Sequence, residues 1–246
     1  MNTNALITAI DIWKTFGQGE NRVEALRGLS LEIIRGEMVA VMGPSGCGKT
    51  SLLNCLSGID TITQGKVFIE GESLYEMKEK KRDNYRLRRM GFVFQSYNLI
   101  PVLTAIENVE LPLLSQGMGP KVARVRAEEA LIRVGLKDRF QHFPFELSGG
   151  QAQRVALARA IVNHPRVIWA DEPTGALDRE TSNRVLDLFD HFHRVDGTTI
   201  VIVTHDPEIA ERADRIIYMD SGRIIQERDP RQRRNYHMSW KGKRGE

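Results

Sequence analysis

The stretch GPSGCGKT, residues 43–50, decides the fold of this 246-residue chain. It matches in full the eight-residue pattern in which glycines let the backbone curl around a phosphate group. Successive N–H groups of such a loop point at the β-phosphate, and the helix that follows adds the positive end of its dipole. We expect Lys49 to reach the β- and γ-phosphates and Thr50 to offer its hydroxyl to Mg²⁺. The residues predicted to bind a nucleotide here are Gly43, Pro44, Ser45, Gly46, Cys47, Gly48, Lys49, Thr50 and Ser51.

The segments beside this loop supply the structural context that the pattern requires. The apolar run MVAVMG, 38–43, predicts a strand that leads into the loop, and KTSLLNCLSGI, 49–59, predicts a helix that leaves it. Further strands are predicted for LITAIDIWKTF (6–16), LRGLSLEII (26–34) and GKVFIEG (65–71). Because strand, loop and helix follow one another, a chance glycine turn is a poor explanation of the loop.

A second segment that predicts chemistry is VIWADE, residues 167–172. It ends an apolar strand in two adjacent carboxylates, and the carboxyl ends of parallel strands face the ligand crevice in α/β proteins. We expect Asp171 to hold Mg²⁺ through water, and Glu172 to orient and deprotonate the water that attacks the phosphate. An acidic pair at a strand end is a weak pattern alone. With the phosphate-binding loop in the same chain it predicts a nucleoside triphosphatase.

The chain between these two segments is predicted to be mainly helical. TAIENVELPL, 104–113, and PKVARVRAEEALIRVGL, 120–136, carry apolar residues at helical spacing. We interpret residues 96–162 as a helical lobe inserted into an α/β core that comprises residues 1–95 and 163–228. The apolar positions of the second predicted helix are Val122, Val125, Ala130, Leu131 and Val134.

Strands and helices alternate in the last third of the chain. A helix is predicted from Glu180, followed by the strand TTIVIVTH (198–205) and the short helix PEIAERA (207–213). A hairpin over RIIYMDSGRIIQ (215–226) is predicted to turn at Ser221–Gly222. This alternation predicts a largely parallel sheet. The apolar face of the first of these helices carries Val185, Leu188, Phe189 and Phe192.

The segment LSGGQAQRVALARA, residues 147–160, carries a family resemblance. Alone it reads as a helix with Ser148 as its N-cap. Together with the loop and the acidic pair, LSGGQ resembles the signature of the ATP-binding cassette (ABC) superfamily, and the resemblance spans nearly the whole chain. It implies an α/β fold: a P-loop, RecA-like nucleoside triphosphatase core with an N-terminal antiparallel β subdomain and an inserted α-helical subdomain.

The resemblance implies further site residues. Phe16 in WKTFG takes the position of an aromatic residue that stacks on adenine, where tyrosine is more usual. Gln95 in GFVFQSYNLIP matches a glutamine that contacts Mg²⁺ and the attacking water. Asp178 in GALD matches the aspartate of the D-loop, and His205 in VTHD matches a histidine that contacts the γ-phosphate.

The resemblance also implies an assembly. Two cassettes are expected to pair head to tail as a homodimer, so that ATP on the phosphate-binding loop of one chain also meets the LSGGQ segment of the other. The physical reason is that one loop cannot surround the charge of the γ-phosphate on all sides, and a second helix N-terminus lowers its energy further. The residues expected to act across this interface are Ser148, Gly149, Gly150 and Gln151.

Two segments indicate the subgroup. Residues 88–113 and ADEPTGALD, 170–178, are similar to the MacB/LolD/FtsE group, whose cassettes drive membrane permeases that export substrates, release lipoproteins or transmit force. A periplasmic or extracellular adaptor, bound through the permease, is a further partner that the resemblance allows. The alternative function is an ABC ATPase that acts in assembly without a permease, as in iron–sulfur cluster assembly. The candidate permease contacts, which could instead belong to the core of the helical lobe, are Tyr97, Asn98, Leu99, Ile100 and Leu103.

Composition sets the remaining expectations. The net charge of +3 is too small to argue for nucleic acid. No apolar run approaches the roughly 18 residues of a membrane span, and the first residues lack the features of a signal peptide. We therefore expect the chain to stay in the cytosol, and the resemblance to cassettes that drive permeases implies the cytoplasmic face of a bacterial membrane. Cys47 and Cys55 are expected to be free thiols. Cys47 lies beside a helix N-terminus, so we expect its alkylation to block ATP binding and bound ATP to protect the thiol.

Basic residues gather in two places, at residues 78–89 and in the tail, residues 229–246. One interpretation is a solvated helix face and a disordered tail. The other is contact of the tail with anionic lipid headgroups or with a partner subunit. The basic residues of the tail are Arg231, Arg233, Arg234, Lys241, Lys243 and Arg244.

Overall fold

Two β-sheets and the helices packed on them form the fold of residues 4–230, the part of the chain that the computed structural model describes. The strands are β1 (Ala5–Phe16), β2 (Val23–Ile34), β3 (Met38–Met42), β4 (Gln64–Ile69), β5 (Glu72–Ser73), β6 (Met90–Phe94), β7 (Val167–Asp171), β8 (Thr199–Val203), β9 (Arg215–Asp220) and β10 (Arg223–Arg228). The helices are α1 (Lys49–Ser57), α2 (Glu79–Arg89), α3 (Ala105–Ser115), α4 (Pro120–Arg133), α5 (Gly149–Ile161), α6 (Arg179–Arg194) and α7 (Pro207–Ala210).

The larger sheet has the strand order β10-β9-β3-β8-β7-β6. Its neighbouring strands run parallel, except that β9 and β10 form an antiparallel hairpin. In β3, Met38 and Ala40 pack with the helices α3 to α6, whereas Val39 and Val41 pack with α1 and the smaller sheet. The sheet is therefore covered on both faces, which explains why its strands are continuous apolar runs in the sequence.

The smaller sheet is antiparallel and has the strand order β2-β1-β4-β5. It packs on α1 and, through α1, on the larger sheet, so that the two sheets share one apolar core. The α/β class, with a parallel core and an N-terminal antiparallel sheet, is confirmed.

Helices α3, α4 and α5 follow one another in the chain between β6 and β7. Helix α3 begins with a reciprocal cap: the Thr104 hydroxyl accepts the Glu107 N–H at 3.4 Å, and the Glu107 carboxylate accepts the Thr104 N–H at 2.8 Å. The segment of the chain that was predicted to be a helical lobe is thus mainly helical, and the lobe boundaries stay a prediction.

The prediction for the apolar face of α4 was wrong at two positions. Val122 and Val125 are 54% and 53% exposed, whereas Ala130, Leu131 and Val134 are buried as expected. The buried face of α4 begins instead with small residues, because this helix packs closely against α3 and α5. Those small residues are Ala123 and Ala127.

Two elements of the structure carry weak sequence signals. Helix α2 lies in the first basic cluster and has no buried residue, so it lacks the apolar period by which a helix is predicted. Strand β6 is a run of five residues just before Gln95, too short for its periodicity to distinguish a strand from a helix. The six basic residues of the tail all fall within residues 231–246, which lie outside the described residues.

Between residues 4 and 230, no helix has both the length and the apolar character needed to cross a membrane. Both cysteines are buried and unpaired, as predicted.

Candidate nucleotide-binding site

The phosphate-binding loop, residues 43–48, connects β3 to α1 at the carboxyl end of the parallel strands. Gly48, the N-cap of α1, has a φ of 104° in the left-handed region, and no side chain caps the helix. A Cβ atom at Gly48 would lie 2.3 Å from the carbonyl oxygen of Ala25, so only glycine fits. The first N–H groups of α1 are therefore available to an anion.

Lys49 lies beneath this loop and is only 8% exposed. Its Nζ atom donates to the carbonyl oxygens of Gly43 at 2.8 Å and Pro44 at 2.9 Å, and the Cys47 Sγ atom lies 4.0 Å away. The ammonium group thus binds backbone carbonyls rather than a carboxylate. Its positive charge remains available to phosphate oxygens at the loop.

At the end of β7, the Thr50 hydroxyl donates to the Asp171 carboxylate over 3.2 Å. Burial raises the pKa of Asp171, and the adjacent Glu172 carboxylate raises it further, while the hydrogen bond from Thr50 acts in the opposite direction. A hydroxyl and a desolvated carboxylate this close offer two oxygen ligands of the kind that Mg²⁺ prefers. The residues therefore fit a magnesium ion that also binds the phosphates.

Glu172 has a φ of 47°, which is uncommon for a residue other than glycine. Its N–H donates to the carbonyl oxygen of Val203 at 2.9 Å, which holds the residue against the end of β8. Its Oε1 atom lies 2.9 Å from Nδ1 of His205, whose side chain is 73% exposed. The turn thus aims a mostly buried carboxylate toward a solvent-accessible imidazole.

These groups meet in one cleft of about 600 Å³. Gln95 reaches it from the end of β6. Its side chain lies against Gly175, where an added Cβ atom would be 2.9 Å from the amide nitrogen of Gln95. The predicted residues that line the cleft are Ser45, Gly46, Gly48, Lys49, Thr50, Ser51, Gln95, Asp171, Glu172 and His205.

The cleft also contains residues that were not predicted. The turn of the β9–β10 hairpin docks on the loop: the Gly222 N–H donates to the Cys47 carbonyl at 2.9 Å, and the Arg27 N–H donates to the Gly222 carbonyl at 2.9 Å. The sequence indicates the turn but contains no signal for its docking. The unpredicted lining residues are Val23, Glu24, Ala25, Arg27, Val203, Ser221 and Gly222.

Phe16 lies at the rim of this cleft. It is paired in register with Val23, which lines the cleft, and its ring is 43% exposed. The Nζ atom of Lys14 lies 4.6 Å from the ring centroid, and the same ammonium donates to Asp60 at 2.6 Å. The ring is thus held in place and keeps an exposed surface on which a base could stack.

The LSGGQ segment lies elsewhere. Ser148 caps α5 reciprocally: the Gln151 N–H donates to the Ser148 hydroxyl at 3.3 Å, and the Ser148 N–H donates to the Gln151 side-chain oxygen at 2.9 Å. Gly150 packs against α6, where a Cβ atom would meet the Thr181 side chain at 2.1 Å. None of the residues 148–151 is among the residues that line the cleft around Lys49.

Asp178 caps α6 and accepts the Thr181 N–H at 3.0 Å, which holds the pKa of this carboxyl below its usual value. It does not line the cleft around Lys49 either. The residues around Lys49 and the residues around Ser148 thus form two separate groups within one chain.

The turn after Gln95 is held by α5. Tyr97 and Asn98 have φ values of 60° and 48°, and their carbonyl oxygens accept hydrogen bonds from Arg159 at 2.8 and 2.5 Å. Leu99 packs against the helical core, whereas Ile100 is 40% exposed. Sequence reasoning missed Arg159 because an arginine within an amphipathic helix is usually a surface residue.

A phosphate-binding loop with a buried lysine, together with two carboxylates at the end of another parallel strand of the same sheet, defines a P-loop nucleoside triphosphatase. The family described as ABC transporter matches residues 26–175, and the chain belongs to this family. It is an ATP-binding cassette and an ATPase, as the sequence predicted.

Relatives and solved structures agree with this assignment. The chain is 44% identical to the lipoprotein-releasing system ATP-binding protein LolD of Bordetella pertussis over 223 residues, 91% of the chain and 96% of the relative. It is 46% identical to the macrolide export ATP-binding/permease protein MacB of Bartonella henselae over 222 residues, 90% of the chain but 34% of the relative. The predicted resemblance to the MacB/LolD-type group is confirmed.

The structure is similar to that of the ATP-binding cassette MJ0796, a dimer in a post-hydrolysis state bound to ADP and Pi. The TM-score is 0.85 at 41% sequence identity, and the match covers 94% of this chain and 100% of that one.

Proposed function

We propose that this ATPase works as a head-to-tail dimer and drives a separate membrane permease. The observation that carries the proposal is the helix N-terminus at Ser148, which is absent from the chain's own nucleotide cleft. A second copy could place this N-terminus on the γ-phosphate that the first copy binds, because the positive end of a helix dipole stabilises an anion. The dimeric state of the MJ0796 cassette supports this arrangement.

Within one chain, the loop and Lys49 bind the phosphates, and Phe16 offers its exposed ring to the adenine. Glu172 accepts a proton from the attacking water, and His205 holds that carboxylate through Nδ1. The imidazole nitrogen that remains for the γ-phosphate is Nε2. When bound, Mg²⁺ supplies positive charge to the β- and γ-phosphate oxygens. Thr50, Asp171 and Gln95 would hold it.

Across the dimer interface, Ser148, Gly149, Gly150 and Gln151 would complete the site of the other chain. Asp178 would lie close to this interface because it caps α6, against which Gly150 packs. Hydrolysis removes the bridging γ-phosphate and lets the two chains separate. The dimer is then a two-state element whose closed form is favoured by ATP.

The permease would receive this motion through the turn after Gln95. Ile100 has an exposed apolar side chain there, and Leu103 is half-buried. Tyr97, Asn98 and Leu99 are further proposed contacts, although Leu99 also packs against the helical core. The match to about a third of MacB, a protein whose name combines ATP-binding and permease functions, supports a permease partner.

A permease partner would place the chain at the cytoplasmic face of the membrane, and any periplasmic or extracellular adaptor would bind the permease rather than this chain. The other hypothesis, an assembly ATPase without a permease, is favoured by none of the relatives described above.

The test is copurification of the tagged chain with membrane proteins from the detergent-solubilised membranes of its host, with the captured membrane protein identified by mass spectrometry. Ile100→Glu should abolish capture of that protein, because a charge would be placed in an apolar contact. Val122→Glu is the matched control: it changes an apolar residue on α4 that is 54% exposed, against 40% for Ile100, and should leave capture unchanged. Equal capture by wild type and Ile100→Glu would reject this contact, and capture of no membrane protein by the wild-type chain would reject the permease.

A further inference from the structure

A fully buried amide connects α5 to both ends of the catalytic centre. Gln153 is 0% exposed. Its Nε2 atom donates to the carbonyl oxygen of Pro173 and, over 3.3 Å, to the carbonyl oxygen of Phe94. Pro173 directly follows Glu172, and Phe94 directly precedes Gln95. One side chain therefore holds the backbone next to the two residues that face the attacking water.

The orientation of this amide follows from its partners. Both neighbours are carbonyl acceptors, so the NH₂ group must face them, because a carbonyl oxygen cannot donate. The Oε1 atom is then left buried without a hydrogen-bond partner among the described residues. The unpartnered Oε1 atom is unfavourable for stability, but an apolar side chain of this size would leave the carbonyl oxygens of Pro173 and Phe94 without the Gln153 donor. The amide therefore stabilises the backbone beside Gln95 and Glu172.

Other contacts of α5 reinforce the link to the turn after β6. Arg159 binds the carbonyl oxygens of Tyr97 and Asn98 from one end of the helix. At the other end Gly149 lies against Tyr97, where a Cβ atom would be 2.7 Å from the phenolic oxygen. Among these contacts, only that of Gln153 also reaches the turn that contains Glu172.

The distance from Ser148 to Gln153 along the helix is short, about 7.5 Å for five residues at 1.5 Å each. A helix of this length moves as a rigid rod, so a displacement of its N-terminus is also a displacement of the Gln153 amide. Because the amide is bonded to both carbonyls, the ends of β6 and β7 would move with it.

We propose that Gln153 is a positioning residue, which couples the docking of α5 on the partner's nucleotide to the placement of Gln95 and Glu172 in the same chain. This inference rests on the proposed head-to-tail dimer. Its consequence is that ATP bound by one chain switches on hydrolysis in the other chain, through the helix that contacts it. Neither hydrogen bond would affect the binding of ATP to the loop around Lys49.

The test is a steady-state ATPase measurement with Gln153→Met, which is nearly isosteric and removes both donors. We expect kcat to fall at least about tenfold, with KM for ATP within about twofold, because misplaced catalytic groups affect turnover more than ground-state binding. A wild-type kcat would overturn the proposal.

Asn108→Leu is the matched control. Asn108 is also 0% exposed, and its amide donates to the carbonyl oxygens of Ile100, Leu103 and Thr104 at 3.1, 3.0 and 3.0 Å. The variant removes a buried amide of the helical region that is not bonded to the neighbours of Gln95 and Glu172. It should lower the melting temperature as Gln153→Met does, yet keep kcat within about twofold of wild type. An equal loss of kcat in both variants would show that Gln153 has only a structural role.

A second experiment distinguishes failure of the positioning role from failure of the head-to-tail dimer. Glu172→Gln should form an ATP-dependent dimer in size-exclusion chromatography, and the double variant with Gln153→Met should form it as well. If Glu172→Gln alone stays monomeric, the head-to-tail dimer is wrong. If only the double variant stays monomeric, Gln153 acts in assembly and the positioning role is overturned.

A further variant serves if Gln153→Met does not fold. Gln153→Glu keeps the shape of the side chain, and its carboxyl group can donate to a carbonyl only while it is protonated. The ratio of its kcat to that of wild type should therefore fall as the pH rises. A ratio that is independent of pH and close to one would overturn the proposal.

Discussion

The Nδ1 atom of His205 lies 2.9 Å from the Oε1 atom of Glu172. The two residues follow the ends of the neighbouring parallel strands β8 and β7, and the cleft that they share also contains Lys49 and Thr50. An imidazole in this position can hold the carboxylate in one orientation. The site therefore combines a phosphate-binding loop with a positioned carboxylate.

Glu172→Gln should retain ATP binding and lose most turnover, because the amide cannot accept the proton of the attacking water. We expect kcat to fall by about 10²–10⁴-fold, the usual contribution of a general base. Equilibrium binding of a fluorescent ATP analogue and steady-state ATPase assays measure the two effects. Glu180→Gln, at an exposed acid of α6, is the control and should be fully active. Rapid hydrolysis by Glu172→Gln would reject Glu172 as the base.

A mixture of a Lys49→Ala variant with a Ser148→Arg variant should regain ATPase activity that neither has alone. In a head-to-tail pair, one of the two composite sites then combines an intact loop with an intact LSGGQ segment. Steady-state activity is measured against the mixing ratio, with each variant alone as the control. A mixture that stays inactive although heterodimers are shown to form would contradict the shared site.

Asp171→Asn should stabilise the nucleotide-free chain at neutral pH while it abolishes magnesium-dependent hydrolysis. Burial raises the pKa of Asp171, so the folded chain holds this proton more tightly than the unfolded chain does. The stability that this group contributes is present at acidic pH, and it is lost as the pH rises through the raised pKa. Asparagine removes the desolvated charge, and we expect the melting temperature at neutral pH to rise by ~2 °C.

The measurement for Asp171→Asn is thermal unfolding at neutral and at acidic pH, with and without ATP and Mg²⁺. The gain should disappear at acidic pH, where Asp171 itself is protonated. The variant should also lose the stabilisation that ATP with Mg²⁺ gives to wild type. A lower melting temperature at neutral pH would show that the ionised carboxylate stabilises the nucleotide-free fold.

Alkylation of Cys47 should block ATP binding, and bound ATP should protect the thiol. The Sγ atom lies 4.0 Å from Lys49 Nζ, so an adduct would fill the space beneath the loop. Burial raises the pKa of Cys55 to about 12, which leaves that thiol protonated and unreactive. Mass spectrometry and nucleotide binding after treatment with N-ethylmaleimide provide the measurement. Cys55→Ser should stay sensitive, and a Cys47→Ser variant that is inhibited as strongly as wild type would contradict the prediction.

Much of the fold could be predicted because its signals are local. A loop such as residues 43–50 needs glycine at left-handed positions, and a helix start needs a cap such as Ser148, so both are visible in a few consecutive residues. Strands β3, β7 and β8 are apolar runs because both of their faces are buried. Helix α2 and the exposed face of α4 were missed or misassigned, since exposure on a helix depends on the neighbours with which it packs.

The sequence by itself determined the phosphate-binding loop, the acidic pair and the order of strands and helices, because each depends on residue types at short spacing. Only the tertiary structure decided which of these segments meet. It placed the turn at Gly222 on the loop, separated the helix N-terminus at Ser148 from the cleft around Lys49, and placed Gln153 between the carbonyls of Phe94 and Pro173. Such contacts join residues far apart in the chain and depend on how whole elements pack, which no local pattern encodes.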